Sequence, residues 1–186
     1  MRIIAGIARG TRLHAPRDNS IRPTTDRVKE ALLSSLEPLL DQVVVDLFSG
    51  SGAIGLEALS RGAQTAYLVD QDRHACKLIK RNLAAITPAF EEPPDAQIVP
   101  CDALRIPQFL AGVRPDIVFA DAPYFSEGKR CPLAALLASA EFADWIGDGL
   151  LVLERSTHNP LLIPDTWQRL REKRFGDIRL IYLRRG

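Results

Sequence analysis

The sequence predicts an α/β fold: a mostly parallel sheet covered by helices on both faces and closed along one side by an antiparallel hairpin. Two observations carry this. From Val43 onward, short apolar runs alternate with helical stretches. Strands that are apolar throughout, rather than at every second residue, are strands buried on both faces. At the tail, "WQRLREKRFGDIRLIYLRR" sets Gly176-Asp177 between two β-prone runs, the pattern of a closing hairpin.

The elements follow in order. "RIIAGIARGTRLHAP" reads as a small basic hairpin turning near Arg9-Gly10. "TTDRVKEALLSSL", residues 24–36, has a Thr cap and apolar spacing at Val28, Leu32 and Leu36, which predicts an amphipathic helix. "VVVDLF" is the first strand, followed by a glycine turn and the helix "AIGLEALSRG". "TAYLVD" is the second strand and "RHACKLIKRNLAAI" the helix after it. "AQIVP" is the third, trailed by a short helix near 103–111, and "PDIVFA" the fourth, trailed by a helix near 132–143. "GLLVLE" is the fifth; the tail hairpin brings the sheet to seven strands. Between the helix "RHACKLIKRNLAAI" and the third strand, "TPAFEEPPD", residues 87–95, reads as an acidic, Pro-rich surface loop. The chain divides into a basic extension, 1–23, and one α/β domain, 24–186, in a single globular unit.

With 186 residues, 46% hydrophobic and 25% charged, the chain has an ordinary soluble balance and enough length for a sizeable core. No apolar run nears the ~20 residues needed to span a bilayer. The apolar stretch in "MRIIAGIARG" is too short for a secretory signal, so the expected location is cytoplasmic and off the membrane. Cys76, Cys101 and Cys131 are scattered, with no CxxC pair and only three His. That predicts buried free thiols and no metal site.

Charge is uneven. Residues 1–30 carry seven Lys or Arg and three acids, residues 165–186 likewise seven and three, and the middle ten and seventeen. Basic ends around an acidic middle suggest a polyanion-binding surface built from both termini; solvated surface charge is the plain alternative.

The first strand leads into Gly50-Ser51-Gly52-Ala53-Ile54-Gly55, formally GxGxxG, with Asp70 twenty residues after Gly50. On its own that fits a dinucleotide. Asp46, at the strand tip, argues otherwise. A pyrophosphate in this turn would meet that carboxylate, and at ~4–6 Å the repulsion is a few kcal/mol at an effective dielectric near 20. S-adenosylmethionine has no phosphate and carries an ammonium and a sulfonium, which an acid here attracts. Glycines let the backbone approach the amino-acid and ribose portion. Asp70, with Gln71 after it, can accept the ribose hydroxyls. Asp102, with Ala103 after it, can accept the adenine amine. Three acids at the carboxyl ends of successive parallel strands would line one crevice; the plain alternative is that each caps a helix.

The fourth strand delivers "DAPY" to the same edge: Asp121, Ala122, Pro123 and Tyr124. This is similar to the (D/N/S)PP(Y/F/W) motif of methyltransferases acting on amines conjugated to a ring or carbonyl. Such an amine is a weak nucleophile because its lone pair is delocalised. A carboxylate and a backbone carbonyl can each accept one of its N–H bonds, an aromatic ring can stack on the base, and proline fixes the loop before substrate arrives. Ala122 stands where the motif has its first proline. It keeps a backbone carbonyl, and its place before Pro123 biases it to extended geometry.

Much of the chain resembles the bacterial small-subunit (16S) rRNA guanine-N2 methyltransferase family, the RsmD type. "MRIIAGIARGTRL" resembles its N-terminal hairpin, "IRPTTDRVKEALLSSL" its RPT-led helix, "DLFSGSGAIGLEALSRGA" its cofactor loop and "DIVFADAPY" its catalytic loop, which usually has two prolines. The resemblance implies a Rossmann-like class I S-adenosylmethionine-dependent fold and methylation of one guanine N2 amine in small-subunit rRNA, as naked RNA or in a partly assembled 30S particle. It implies that Phe48, Ser49, Gly50, Ser51 and Gly52 lie along the cofactor, and that Arg22, Thr24 and Thr25 lie near its methionine end. Arg2, Arg9, Arg12 and Arg17 can grip RNA phosphates, being Arg and so suited to bidentate contacts. Glu154, ending the fifth strand, is a further acid near the site or a structural partner of an Arg. The alternatives are adenine-N6 modification of DNA or RNA, modification of a protein glutamine, a NAD-dependent oxidoreductase built on GSGAIG, and a non-catalytic RNA-binding module.

Overall fold

The computed structural model describes residues 1–15, 26–122 and 131–186, with the side chains of Asp26 and Arg27 left out. Seven strands form one sheet: β1 (Val43–Leu47), β2 (Thr65–Val69), β3 (Asp95–Val99), β4 (Ile117–Ala120), β5 (Leu150–Ser156), β6 (Trp167–Phe175) and β7 (Ile178–Arg185). Their order is β3-β2-β1-β4-β5-β7-β6. The first five pair in parallel, and β7 closes antiparallel on β5 with β6 outside it. The chain builds outward from β1 through β2 to β3, then returns to place β4 on the other flank of β1. That reversal opens a crevice at the carboxyl ends of β1 and β4, the usual ligand position in such sheets.

Helices cover both faces. α1 (Asp26–Ser34) and α2 (Ala53–Ser60) lie on one, where Val28, Leu32, Leu33, Ile54 and Ala58 pack on Val44, Val152, Leu180 and Tyr182. α4 (Ile106–Phe109), α5 (Pro132–Ala138) and α6 (Ala140–Ile146) cover the other, where Leu133, Leu136, Phe142 and Trp145 meet Val118, Leu151, Leu153 and Ile181. Phe142 lies 5.6 Å from the Trp145 ring and 6.1 Å from that of Trp167. Each indole N–H reaches a carbonyl, Leu110 and Leu137, at 2.9 Å, so these large rings are buried with their polar edge satisfied. α3 (Arg73–Ile86) packs Ile79 and Ile86 against Leu56, Leu68 and the N-terminal Ile3 and Leu13. Among the described residues no helix is long and apolar enough to cross a membrane.

Several details differ from the sequence reading. Residues 1–13 double back, but on a single antiparallel bridge between Arg2 and Arg12 rather than a ladder. Gly6 and Gly10, both at positive φ, turn the chain too early for longer pairing. The helix expected at 132–143 is two helices, because Ser139 accepts the Phe142 N–H and starts α6 afresh. β5 runs on to Ser156, β3 begins at Asp95, inside the expected loop, and that loop opens with a 3-10 turn, Thr87–Ala89. α1 ends at Ser34, short of Leu36; its expected caps, Thr24 and Thr25, lie outside the described residues.

Candidate active site at the carboxyl rim of the sheet

The glycine turn is held from below by Asp46. This side chain is buried, and its Oδ2 accepts the Ser49 hydroxyl at 2.7 Å and the Gly55 N–H at 3.1 Å. Burial pushes its carboxyl up to about 7, against the lowering effect of those two hydrogen bonds; Asp70 nearby adds to the rise. The N–H groups at the start of a helix ordinarily attract a phosphate. Here the Gly55 N–H is spent on Asp46, the Gly50 N–H on Asp70 Oδ2 at 2.8 Å, and the Gly52 N–H on the Ser49 carbonyl at 2.8 Å. These three N–H groups are therefore already taken by the protein's own acceptors, two of them carboxyl groups. The turn suits a cationic ligand and opposes a pyrophosphate.

Phe48 has φ 58, a conformation few non-glycine residues adopt, and Gly50 and Gly52 follow at φ 56 and 79. Phe48 packs partly against the core while the glycines keep the backbone bare. Ser49 is buried and Ser51 half-buried. The Ser51 carbonyl accepts from Asn82 Nδ2 at 2.8 Å.

Asp70 is half-buried, its other oxygen accepting the Asp72 N–H at 2.9 Å, and Gln71 beside it is exposed. Asp102 is exposed and caps the turn Ala103–Arg105 by accepting the Leu104 N–H at 3.0 Å; Ala103 is buried. Asp46, Asp70 and Asp102 thus lie at or just past the carboxyl ends of β1, β2 and β3, and each already supports local backbone. Two thiols lie beneath this rim. Cys76 donates to the Asp70 carbonyl at 3.3 Å. Burial pushes the Cys76 and Cys101 thiols up, with Asp70 and Asp72 adding at the first and Asp102 at the second. Both are kept as unreactive thiols. All three cysteines are free; Cys131 is half-buried rather than buried.

Leu47 pairs with Ala120, so the residues that follow them, Phe48 and Asp121, leave the sheet side by side. Asp121 is half-buried and Ala122 is buried within the core cluster. Pro123 and Tyr124 lie outside the described residues, as do Arg17, Arg22, Thr24 and Thr25. Arg2, Arg9 and Arg12 are exposed on the N-terminal segment. Glu154 is buried, opposite Leu180 on the sheet face that carries Val152. No group of three His, Cys, Asp or Glu among the described residues is placed to hold a metal ion.

Sequence reasoning missed how the N-terminal segment is fastened to this turn. Glu57, buried on α2, accepts the Ile4 and Ala5 N–H groups at 2.8 Å each and pairs with Lys29 at 3.0 Å and Arg61 at 3.1 Å. Lys29 also donates to the Arg2 carbonyl. Ser60 accepts the Ala8 N–H at 2.9 Å and donates to the Ala5 carbonyl at 2.7 Å. Asn82, buried on α3, exchanges two hydrogen bonds with the His14 backbone, 2.8 and 3.1 Å, besides its bond to Ser51. One signal could have found them. Glu57 is a charge in an otherwise apolar helix, and Asn82 is an amide on the apolar stripe Ala75, Ile79, Ile86.

A seven-stranded sheet with reversed order about β1, a closing antiparallel strand and an acid-lined glycine turn is the architecture of class I methyltransferases. The comparisons agree. The family model described as Conserved hypothetical protein 95 matches residues 1–184. Ribosomal RNA small subunit methyltransferase D of Escherichia coli K12 is 37% identical over 183 residues, covering 96% of this chain and 86% of that protein. Its Haemophilus influenzae counterpart is 33% identical over 178 residues, covering 95% and 89%. The solved yhhF protein of Escherichia coli superimposes with a TM-score of 0.78 at 36% identity, over 100% of this chain and 98% of that one. The chain belongs to the ribosomal RNA small subunit methyltransferase D family.

Proposed function

We propose that the protein methylates the exocyclic N2 amine of one guanine in small-subunit rRNA, with S-adenosylmethionine as donor. The observation that carries this is the neighbourhood of two strand tips. An acid-filled glycine turn ends β1, and Asp121-Ala122 ends β4 immediately beside it. The relatives' names supply the substrate class.

The residues fit the donor. Phe48, Ser49, Gly50, Ser51 and Gly52 would take its amino-acid and ribose portion, with Asp46 buried beneath them holding the turn, Asp70 and Gln71 on the ribose, and Asp102 and Ala103 by the adenine. Arg22, Thr24 and Thr25 belong to the methionine end on the family resemblance. When bound, S-adenosylmethionine supplies a methyl made electrophilic by the sulfonium. The protein's part is positional. The Asp121 carboxylate and the Ala122 carbonyl accept the two N–H bonds of the guanine amine, turning lone-pair density toward the methyl. Once methylated, the nitrogen is acidic, and its proton leaves past Asp121 to water; no strong base is required. Arg2, Arg9, Arg12 and Arg17 hold phosphates of the RNA, which works as naked rRNA or as part of an assembling 30S particle in the cytoplasm.

The test is transfer of a labelled methyl to small-subunit RNA and to particles from cells lacking the protein, with the product located by mass spectrometry of nucleosides. N2-methylguanosine is expected. Asp121→Asn should keep donor binding and slow turnover by roughly 10²-fold or more, the scale of one lost preorganised contact. N6-methyladenosine as product, or unchanged turnover in the variant, would overturn the reading.

A further inference from the structure

The antiparallel closure brings a second set of strand ends to the rim that holds Asp121. Ser156 of β5 and Phe175 of β6 both pair with Ile178 of β7. One position inward, Arg155 pairs with Arg179 and Arg179 with Arg174, so three arginines stand directly opposite one another across three strands. Register partners share a sheet face. This face is the one carrying Leu153 and Ile181, which α5 and α6 cover further down.

Arg155 ties the row to the start of α5. Its Nη1 donates to Cys131 Sγ at 3.0 Å, and Cys131 is the residue before α5, ten positions along the chain from Asp121. Arg174 is exposed, and Arg155 and Arg179 are half-buried.

Like charges directly opposite destabilise a sheet, so the row needs a reason. Glu172 at 3.2 Å from Arg179 Nε offsets part of the repulsion. Carbonyls of Asn159, Gly176 and Thr157 each take one guanidinium bond, which satisfies a donor without cancelling charge. The opposite end of the hairpin is different. There Arg184 faces Gln168, and Arg185 pairs with Asp144 at 2.7 Å.

We infer that Arg155, Arg179 and Arg174 form a phosphate-backbone contact that seats the RNA strand flanking the target base. With neighbouring strands ~4.8 Å apart, the row is ~10 Å long. Its planar forks suit the bidentate geometry of phosphate oxygens. The inference rests on the rRNA reading of the neighbouring site and adds a second grip to the N-terminal arginines.

The experiment measures small-subunit RNA binding by filter retention across a salt series for the parent, R155Q/R174Q and R184Q, with donor affinity by calorimetry and thermal melts alongside. For R155Q/R174Q the RNA Kd should rise about tenfold at moderate salt, and the slope of log K against log salt should fall by ~1.4, two single-strand contacts. Donor affinity should be unchanged and the melt no lower, since repulsion has been removed. R184Q should bind as the parent does. An unchanged RNA Kd and slope in R155Q/R174Q, or an equal loss in R184Q, overturns the row. Failure of the parent to methylate any small-subunit RNA would sink the catalytic reading alone, because binding and its salt slope still decide the row. Failure of the parent to bind RNA sinks both.

Discussion

The two basic ends of the chain are fastened to the domain by different physics. The C-terminal hairpin is held by backbone: eight β6–β7 register pairs and six between β7 and β5. Its arginines ride on that ladder, Arg171 reaching the Ser35 carbonyl at 2.7 Å and Arg185 pairing with Asp144 at 2.7 Å. The N-terminal segment has one bridge, Arg2 with Arg12. It is held from outside, by the polar side chains of Glu57 and Ser60 on α2 and Asn82 on α3, by the Ile7 N–H bond to the Ser60 carbonyl at 2.7 Å, and by burial of Ile3, Ala8 and Leu13. Those polar side chains sit on the helices that also frame the glycine turn. A ladder tolerates changes to its side chains; a segment whose backbone groups rely on three polar side chains is far more sensitive to losing one of them. The proposed RNA grip at the N-terminus is thus tied to the glycine turn, whereas the one at the C-terminus is tied to the sheet.

The sharpest way to break this contrast is Glu57→Ala. It strands Lys29 as a buried cation, leaves Arg61 with Glu37 as its remaining carboxylate, and takes the acceptor from the Ile4 and Ala5 N–H groups. Removing one partner of a buried ion network costs ~3–5 kcal/mol, to be read from urea unfolding. A loss below ~1 kcal/mol would mean that the segment is held by its apolar residues, Ile3, Ala8 and Leu13, alone.

The next test compares glycines at the two ends. Gly6 has φ +80, and a Cβ there would lie 1.7 Å from the Ser60 carbonyl oxygen. Gly176, in the hairpin turn, has φ +58 and nothing within 4 Å of the added carbon. Gly6→Ala should therefore cost ~2–3 kcal/mol through strain and displaced backbone and expose residues 1–15 to protease. Gly176→Ala should cost only the conformational penalty of ~1 kcal/mol, with the hairpin intact. Equal melting shifts for the two would erase the distinction.

The same contrast explains what could be read from the residues alone. The strand-helix alternation and the Gly176-Asp177 hairpin were legible because each is specified by neighbours in sequence, through apolar runs and turn chemistry. The glycine turn was legible for the same reason. The split of α5 from α6 was not, because one serine, Ser139, caps a new helix inside an apolar run. The fastening of the N-terminus was not, because Glu57 and Asn82 act across more than fifty residues of sequence. The direction in which Asp46 points was hidden as well. An acid at a strand tip reads as facing a ligand, whereas here its oxygen is spent on Ser49 and Gly55.

Asp46 supplies the smallest effect, and sharpens the comparison by showing a buried carboxylate unlike Glu57. Glu57 has two cations; Asp46 is held by a hydroxyl and an amide N–H, both neutral. Its carboxyl is pushed from 3.8 to about 7 by burial. Between these values the folded state holds a proton that the unfolded chain releases, so stability should rise as pH falls through 7 and level off below 4. Above 7 the ionised form carries the full burial cost. For one proton bound with that preference, lowering pH from 7.5 to 6 should stabilise the parent by ~1 kcal/mol more than Asp46→Asn, which cannot titrate. The same ionisation makes the turn a better seat for a cation, so donor affinity in the parent should improve relative to that variant as pH rises through 7. Parallel stability curves for parent and variant across this window would mean that Asp46 keeps an ordinary acidity. The turn would then be negatively charged at every working pH.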